Sequence, residues 1–409
     1  MGLRALPRVL AVNTDDAPFL DVEAPGFAMH SAEVAAARER SWYARTPYGL
    51  AILRHAEIAR LVKDPRLIQG SARWPAHNDV EDGPFAEWWS RILLCREGVD
   101  HARLKRLVTP AFSQRTLAPL QPAFMRLANE VIDGFAARGR CEFMTEFAEP
   151  YATRVLCLLL GVPERDWRAI ADLAAVMGLA LGVRFREEVA RVDAAVGELF
   201  AYADGLIAAR RGALGEDFLS QLVLATEDGD RLSDEELRDM VVLLIFGGID
   251  TTRNQLSLGL RLFMEHPDQW ELLAADPSLA PLAVEEVMRL QPTTTWVSRE
   301  AAEDFVFQGL EIGRGTTVHL FAAAAGGDVQ AYGEAAGFDI RAKRPPHYGF
   351  GGGIHYCLGH AVARSDMAVA FRCLSARLTA LEADGTARWL PDSGNTGAEV
   401  LPLRFRLRT

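Results

Sequence analysis

Phe350-Gly351-Gly352-Gly353-Ile354-His355-Tyr356-Cys357-Leu358-Gly359-His360-Ala361-Val362-Ala363-Arg364 is the stretch from which the fold can be read. Its first ten residues include four glycines. Glycine leaves backbone bare, so the loop is expected to admit something large. Cys357 closes the loop, and an apolar, helix-favouring run from Leu358 to Leu378 begins beside it. At a helix N-terminus a thiolate meets unpaired N–H groups and the positive end of the dipole, which lower its pKa. A thiol so placed serves as a nucleophile or a metal ligand. The glycines favour the ligand, because a flat group needs backbone on one face while sulfur reaches its metal.

The stretch resembles the haem-binding signature of the cytochrome P-450 superfamily, Phe-Gly-x-Gly-x-His-x-Cys-x-Gly-x-x-Leu-Ala-Arg. Every fixed position matches except the last apolar one, where Val362 replaces Leu. An isolated cysteine beside a Gly-rich turn is ordinarily a small buried hydrophobe. The resemblance implies haem b (iron protoporphyrin IX) ligated by Cys357, with Phe350, Gly351, His355 and Gly359 in its bed. It implies a mainly α fold with small β-sheets, a triangular prism with a long central helix over the haem. That fold would take residues 1–409 as a single domain.

Bulk properties agree. No Pro/Gly/Ser linker, low-complexity tract or internal repeat divides the 409 residues. A hydrophobic fraction of 49% supplies a large core. No apolar run approaches the ~18 residues of a membrane span. Met1-Gly2-Leu3-Arg4-Ala5-Leu6-Pro7 lacks a signal-peptide core, so a cytoplasmic protein of the soluble bacterial type is expected. The five cysteines are odd in number and hold no Cys-x-x-Cys pair, so neither a disulfide framework nor a zinc ribbon is suggested. Four of them read as buried hydrophobes. A net charge of −11 disfavours nucleic acid as a partner. Strands are expected at 48–53 and 316–320, and an edge strand at 400–407 that tolerates Pro402.

Ser233-Asp234-Glu235-Glu236 reads as a capping box that starts one helix running to about Glu265, where His266-Pro267 stops it. Its centre, Phe246-Gly247-Gly248-Ile249-Asp250-Thr251-Thr252, carries three local faults: paired glycines, an acid in an apolar run and a hydroxyl able to open the backbone ladder. This resembles the family's oxygen-binding motif, Ala/Gly-Gly-x-Asp/Glu-Thr-Thr/Ser. The resemblance implies that Thr251 hydrogen-bonds dioxygen and Asp250 relays protons. Gly247 and Gly248 would then leave a groove for dioxygen and substrate.

Glu286 and Arg289 are three apart on one helical face, at the spacing of the family's Glu-x-x-Arg motif. The resemblance implies a buried structural pair that locks the thiolate loop. A further Arg is expected after Phe338-Asp339; Arg341 and Arg344 both qualify. For the haem propionates the resemblance implies His101 and Lys105, the latter in place of the usual Arg, together with Arg299 and His355.

The implied activity is a monooxygenase inserting one atom of dioxygen into a small organic substrate, by hydroxylation or epoxidation. No nucleotide fingerprint or flavin domain is present, so electrons are expected from a separate ferredoxin and ferredoxin reductase. Arg103, Arg106, Arg341, Lys343, Arg344 and Arg364 suggest a cationic docking face on the thiolate side. Non-hydroxylating oxidation (coupling, desaturation), peroxide-driven oxidation, or a non-enzymatic haem-thiolate sensor are the alternatives. The Asp250-Thr251 pair argues against the last two. By resemblance, substrate contacts fall at Trp88 in a 74–89 loop, 177–185, Leu243, Thr294, Trp296, Val297 and Thr396.

Overall fold

A computed structural model describes residues 16–181, 185–215, 217–227, 230–333, 337–392 and 394–408. The expectations for Met1–Pro7, and for part of 177–185, lie outside these residues. The fold is mainly helical with small sheets, as expected. None of the described helices is long and apolar enough to cross a membrane.

The largest sheet has five strands in the order Tyr43–Thr46, Gly49–Ile52, Thr317–Leu320, Val297–Ala301, Leu67–Gln69. Only the Leu50–Val318 pairing within it is parallel. The expected strands near 48–53 and 316–320 are therefore neighbours. This sheet brings Val297–Ala301, which carries Arg299, beside the glycine loop.

The C-terminal strand differs from expectation. Pro402–Leu407 is the middle strand of three, between Leu378–Ala383 and Arg140–Glu142, not an edge. Proline is tolerated because it is the strand's first residue, where its missing N–H falls outside the ladder. Its carbonyl still accepts from Asp384 N–H at 2.9 Å.

The central helix is broken where one continuous helix was expected. Asp234–Gly248 begins at the capping box, with Ser233 Oγ accepting from Glu236 N–H and Glu236 accepting from Ser233 N–H. Ile249 interrupts it, and Asp250–Glu265 resumes and ends before Pro267. The cause is local. Thr251 Oγ1 donates to Gly247 O at 2.6 Å and so competes for a carbonyl the ladder would use.

One buried group fixes an acid limit. His319 packs against Trp296, ring centroids 5.0 Å apart, and its Nδ1 has no partner among the described residues. Burial lowers its pKa from the usual 6.5 to about 4. Between these values the unfolded chain binds more protons, so stability falls as pH drops through that window. The difference corresponds to roughly 3 kcal/mol. His319→Phe is expected to flatten the dependence of Tm on pH between 6.5 and 4. His101, also lowered to about 4, keeps part of the slope. An unchanged Tm–pH curve would reject the assignment.

Candidate functional site

The glycine loop closes on itself through backbone. Cys357 N–H donates to Phe350 O at 3.0 Å, and Gly351 N–H to Tyr348 O at 2.8 Å. Its glycines do two jobs, where one was expected. A Cβ on Gly353 would sit 2.2 Å from Val62 O, and one on Gly352 2.8 Å from a Val62 methyl. Those two let the loop lie against the end of the His55–Leu61 helix. Gly359 faces open space, and only it and Gly351 remain to border a ligand.

Cys357 is accessible, whereas Cys141, Cys157 and Cys373 are buried and Cys95 is half-buried. Its setting is deep enough that burial pushes the thiol up. The N–H groups of Gly359 and His360 and the charges of Arg364 and Lys105 oppose this without prevailing. The lowered pKa expected from the helix terminus is thus not supplied by the polypeptide. A coordinated metal ion deprotonates a thiol outright, which suits a ligand and not a free nucleophile.

Four of the expected anion-binding residues converge. His101 is buried, and its ring centroid lies 4.4 Å from that of His355. Arg299 is 2% exposed, its guanidinium donating, among the described residues, only to the carbonyls of Ser298 and Gly352. Burial lowers its pKa to about 10, with Glu97 opposing. A buried guanidinium so weakly compensated calls for an anion, and a haem propionate meets that need. Lys105 departs from expectation in part: its Nζ donates to the carbonyls of Ile354 and Tyr356, clasping the loop itself. Glu97 was missed by the sequence reading. It accepts from Gln69 N–H at 2.6 Å and bonds His355 Nε2 at 2.9 Å, tying sheet to loop. Its place four residues before His101 was the available signal.

At the helix break, Gly247 is exposed and an added Cβ would meet nothing within 4 Å. Gly248 faces elsewhere: its Cβ would lie 3.3 Å from Leu156 of the Glu149–Leu160 helix. Only Gly247 borders open space. Asp250 pairs with Arg253 at 3.2 Å, and Arg253 with Glu149 at 3.3 Å. Burial raises the Asp250 pKa, opposed by Arg253. The residues around this space fit a haem: one accessible cysteine, a cationic buried cluster and a helix break where Gly247 leaves open space.

Glu286 and Arg289 are 2% and 1% exposed. Arg289 donates bidentately to Glu286 at 2.7 and 2.6 Å, and to Gly326 O at 2.5 Å. Arg344, not Arg341, completes the network, 3.5 Å from Glu286 and bonded to Gly337 O at 3.2 Å. Arg341 turns to Asp339 at the surface.

The expected substrate residues separate. Half-buried Leu243 shares a cluster with Leu244, Phe246, the loop residue Leu358 and the helix residues Ala361 and Val362. Trp88 belongs to that cluster but is fully buried, 5.5 Å from Phe246 between ring centroids. Trp296 does not belong there. It stacks on His319 and Phe321 in the cluster built by Leu20, Met29 and Val34, because its neighbours in the strand take the other face. Val297 lies 3.7 Å from a Cβ built on Gly351. Thr294 bridges to Asn395, and Thr396 is buried, its N–H on Thr293 O.

Fold and site together define a haem-thiolate protein. The chain belongs to the cytochrome P-450 family, whose model matches residues 184–276 and 278–406. It is 38% identical to luteothin monooxygenase of Streptomyces thioluteus over 95% of this chain and 96% of that one. A solved cytochrome P-450 of Chondromyces apiculatus superposes with TM-score 0.85 at 27% identity, covering 96% of this chain and 99% of that one. The LnmA hydroxylase of the leinamycin pathway of Streptomyces atroolivaceus superposes with TM-score 0.80 at 28% identity, covering 95% and 100%. The chain is a cytochrome P-450 monooxygenase that binds haem through a cysteine thiolate and acts on a small molecule with dioxygen. The sensor reading is thereby set aside.

Proposed function

We propose that this monooxygenase, acting as one 1–409 domain in the cytoplasm, hydroxylates or epoxidises an apolar organic molecule of a biosynthetic pathway. Electrons come from a separate ferredoxin and its reductase. The observation that carries the reading is the Thr251 hydroxyl drawn onto Gly247 O beside a carboxyl whose pKa burial raises.

In this reading Cys357 would hold the haem through its sulfur, and Arg299, His355, His101 and Lys105 would receive its propionates. Bound haem supplies dioxygen activation, favoured by thiolate donation. Asp250 then takes up a proton near the Arg253–Glu149 pair, and the Thr251 hydroxyl passes it inward. Leu243, Leu244 and Phe246 offer an apolar wall. The names of two relatives, a luteothin monooxygenase and a leinamycin-pathway hydroxylase, agree with oxygen insertion.

The cationic docking face is thinner than the sequence suggested. Arg103 is held by Asp230 and Glu236, Arg364 by Glu285, Arg344 by Glu286 and Arg341 by Asp339. Apolar Val99 and Ile354 are 85% and 55% exposed on segments near the loop. A ferredoxin contact of mixed apolar and charged character follows.

Two measurements test the reading. Apolar ligands should shift the ferric Soret band to the high-spin form, and one such ligand should gain an oxygen atom with ferredoxin, reductase and donor. Donor consumption without any oxygenated product across a broad panel would reject it. Thr251→Ala should lower product formed per donor consumed about tenfold or more, with Thr251→Ser restoring most of it. Wild-type coupling in the alanine variant would remove Thr251 from proton delivery.

A further inference from the structure

Arg364 closes the signature stretch, one turn into the His360–Arg377 helix. Its guanidinium gathers groups from both sides of Cys357. Nη1 donates to the Tyr356 hydroxyl at 3.0 Å and lies 2.9 Å from His360 Nδ1. Nε and Nη2 donate to Glu285, at 2.5 and 3.1 Å. Its Cζ sits 4.5 Å over the Phe350 ring. One side chain therefore touches the first residue of the loop, the residue just before the cysteine and the residue three after it. Glu285 anchors this grip on the Ala280–Leu290 helix, and His347 Nε2 lies 3.3 Å from the same carboxylate.

This grip is separate from the neighbouring buried pair. Glu286 secures the helix to Gly326 and Gly337 through Arg289 and Arg344. Glu285, one residue earlier, reaches the sulfur loop instead. The Arg364 and Glu285 side chains are 30% and 40% exposed, so the pair contributes little to global stability. Yet its geometry is bidentate and includes two further contacts beside Cys357, more than a surface pair needs. The sulfur is faced by the N–H groups of Gly359 and His360, and Arg364 holds the side chain of one of those residues.

We infer that Arg364, braced by Glu285, is a positioning residue that sets how much electron density the Cys357 thiolate gives to the iron. It does so by holding Tyr356 and His360 so that backbone N–H groups stay aimed at sulfur, and by its own nearby charge. The inference rests on Cys357 being the axial ligand. Without the clamp, the donors relax and the sulfur keeps more of its negative charge. Stronger donation then favours ferric over ferrous iron.

The test compares purified holoproteins: wild type, Arg364→Leu, Arg364→Lys and Glu285→Gln. The readouts are the ferric/ferrous midpoint potential and the position of the ferrous carbon monoxide band, with haem content and Tm measured alongside. Arg364→Leu should shift the midpoint negative and move the band. Arg364→Lys, with charge but no fork, should fall between Leu and wild type. Glu285→Gln should move both readouts in the same direction by less, and it serves alone if Arg364→Leu yields no holoprotein. Wild-type midpoint and band in Arg364→Leu overturn the inference, as does a wild-type Glu285→Gln where it is the only holoprotein. If wild type itself lacks a thiolate-type band, the Cys357 assignment fails instead.

Discussion

Cys357→Ala is expected to fold, to lose the thiolate-type carbon monoxide spectrum completely and to bring turnover to background. The expectation that it folds comes from how the loop is held. Its closing bond uses the Cys357 N–H, not the sulfur. Gly352 and Gly353 lie on Val62, Lys105 grips two loop carbonyls, and Arg364 holds Tyr356 and His360. None of these needs the thiol. The side chain removed is accessible, so no core cavity is created and the penalty of a large-to-small core change does not apply. Loss of function follows from chemistry. Among the described residues, no group of three or more His, Cys, Asp or Glu is placed to hold a metal ion. His355, beside the cysteine, is committed to Glu97. The measurement is a ferrous carbon monoxide difference spectrum with Tm alongside. A variant keeping the thiolate-type band would show that another sulfur is the ligand.

What the sequence disclosed follows from which contacts are local. The signature and the Glu286–Arg289 spacing lie within one turn or one loop, so residue type and spacing determine them. Contacts set by the path of irregular chain did not show. Arg344 takes the place open to Arg341 because Phe338-Asp339 turns the intervening side chain to the surface. Glu97 and Glu285 were missed because each acts on a residue far along the chain, His355 and Arg364. Which side Trp296 takes did not show, because strand alternation beyond a helix end depends on a register that only pairing with Thr317–Leu320 sets. The helix break was read as a weakness within one helix, whereas the Thr251–Gly247 bond makes it an interruption.

Glu286→Gln is the second large effect: little or no soluble holoprotein, or a fall in stability of about 3–5 kcal/mol where some is recovered. The magnitude comes from burial. Both side chains of the pair are at most 2% exposed, so water cannot compensate a lost charge. Glu286 faces two guanidinium groups, Arg289 at 2.6 Å and Arg344 at 3.5 Å, and accepts Asp339 N–H at 3.2 Å. A neutral amide leaves two cations facing each other, and its NH2 turns a donor toward donors. Total stabilities of about 5–15 kcal/mol leave little margin for that loss. The exposed pair Arg404–Glu382, with side chains 61% and 55% accessible, is the control. Glu382→Gln should cost under about 1 kcal/mol. Arg289→Lys distinguishes charge from geometry: it keeps the cation but cannot serve Glu286 bidentately and also reach Gly326 O. It should lie between wild type and Glu286→Gln in Tm and haem content. Equal Tm and haem content for Glu286→Gln and Glu382→Gln would mean that the buried pair does not secure the elements that carry the thiolate loop.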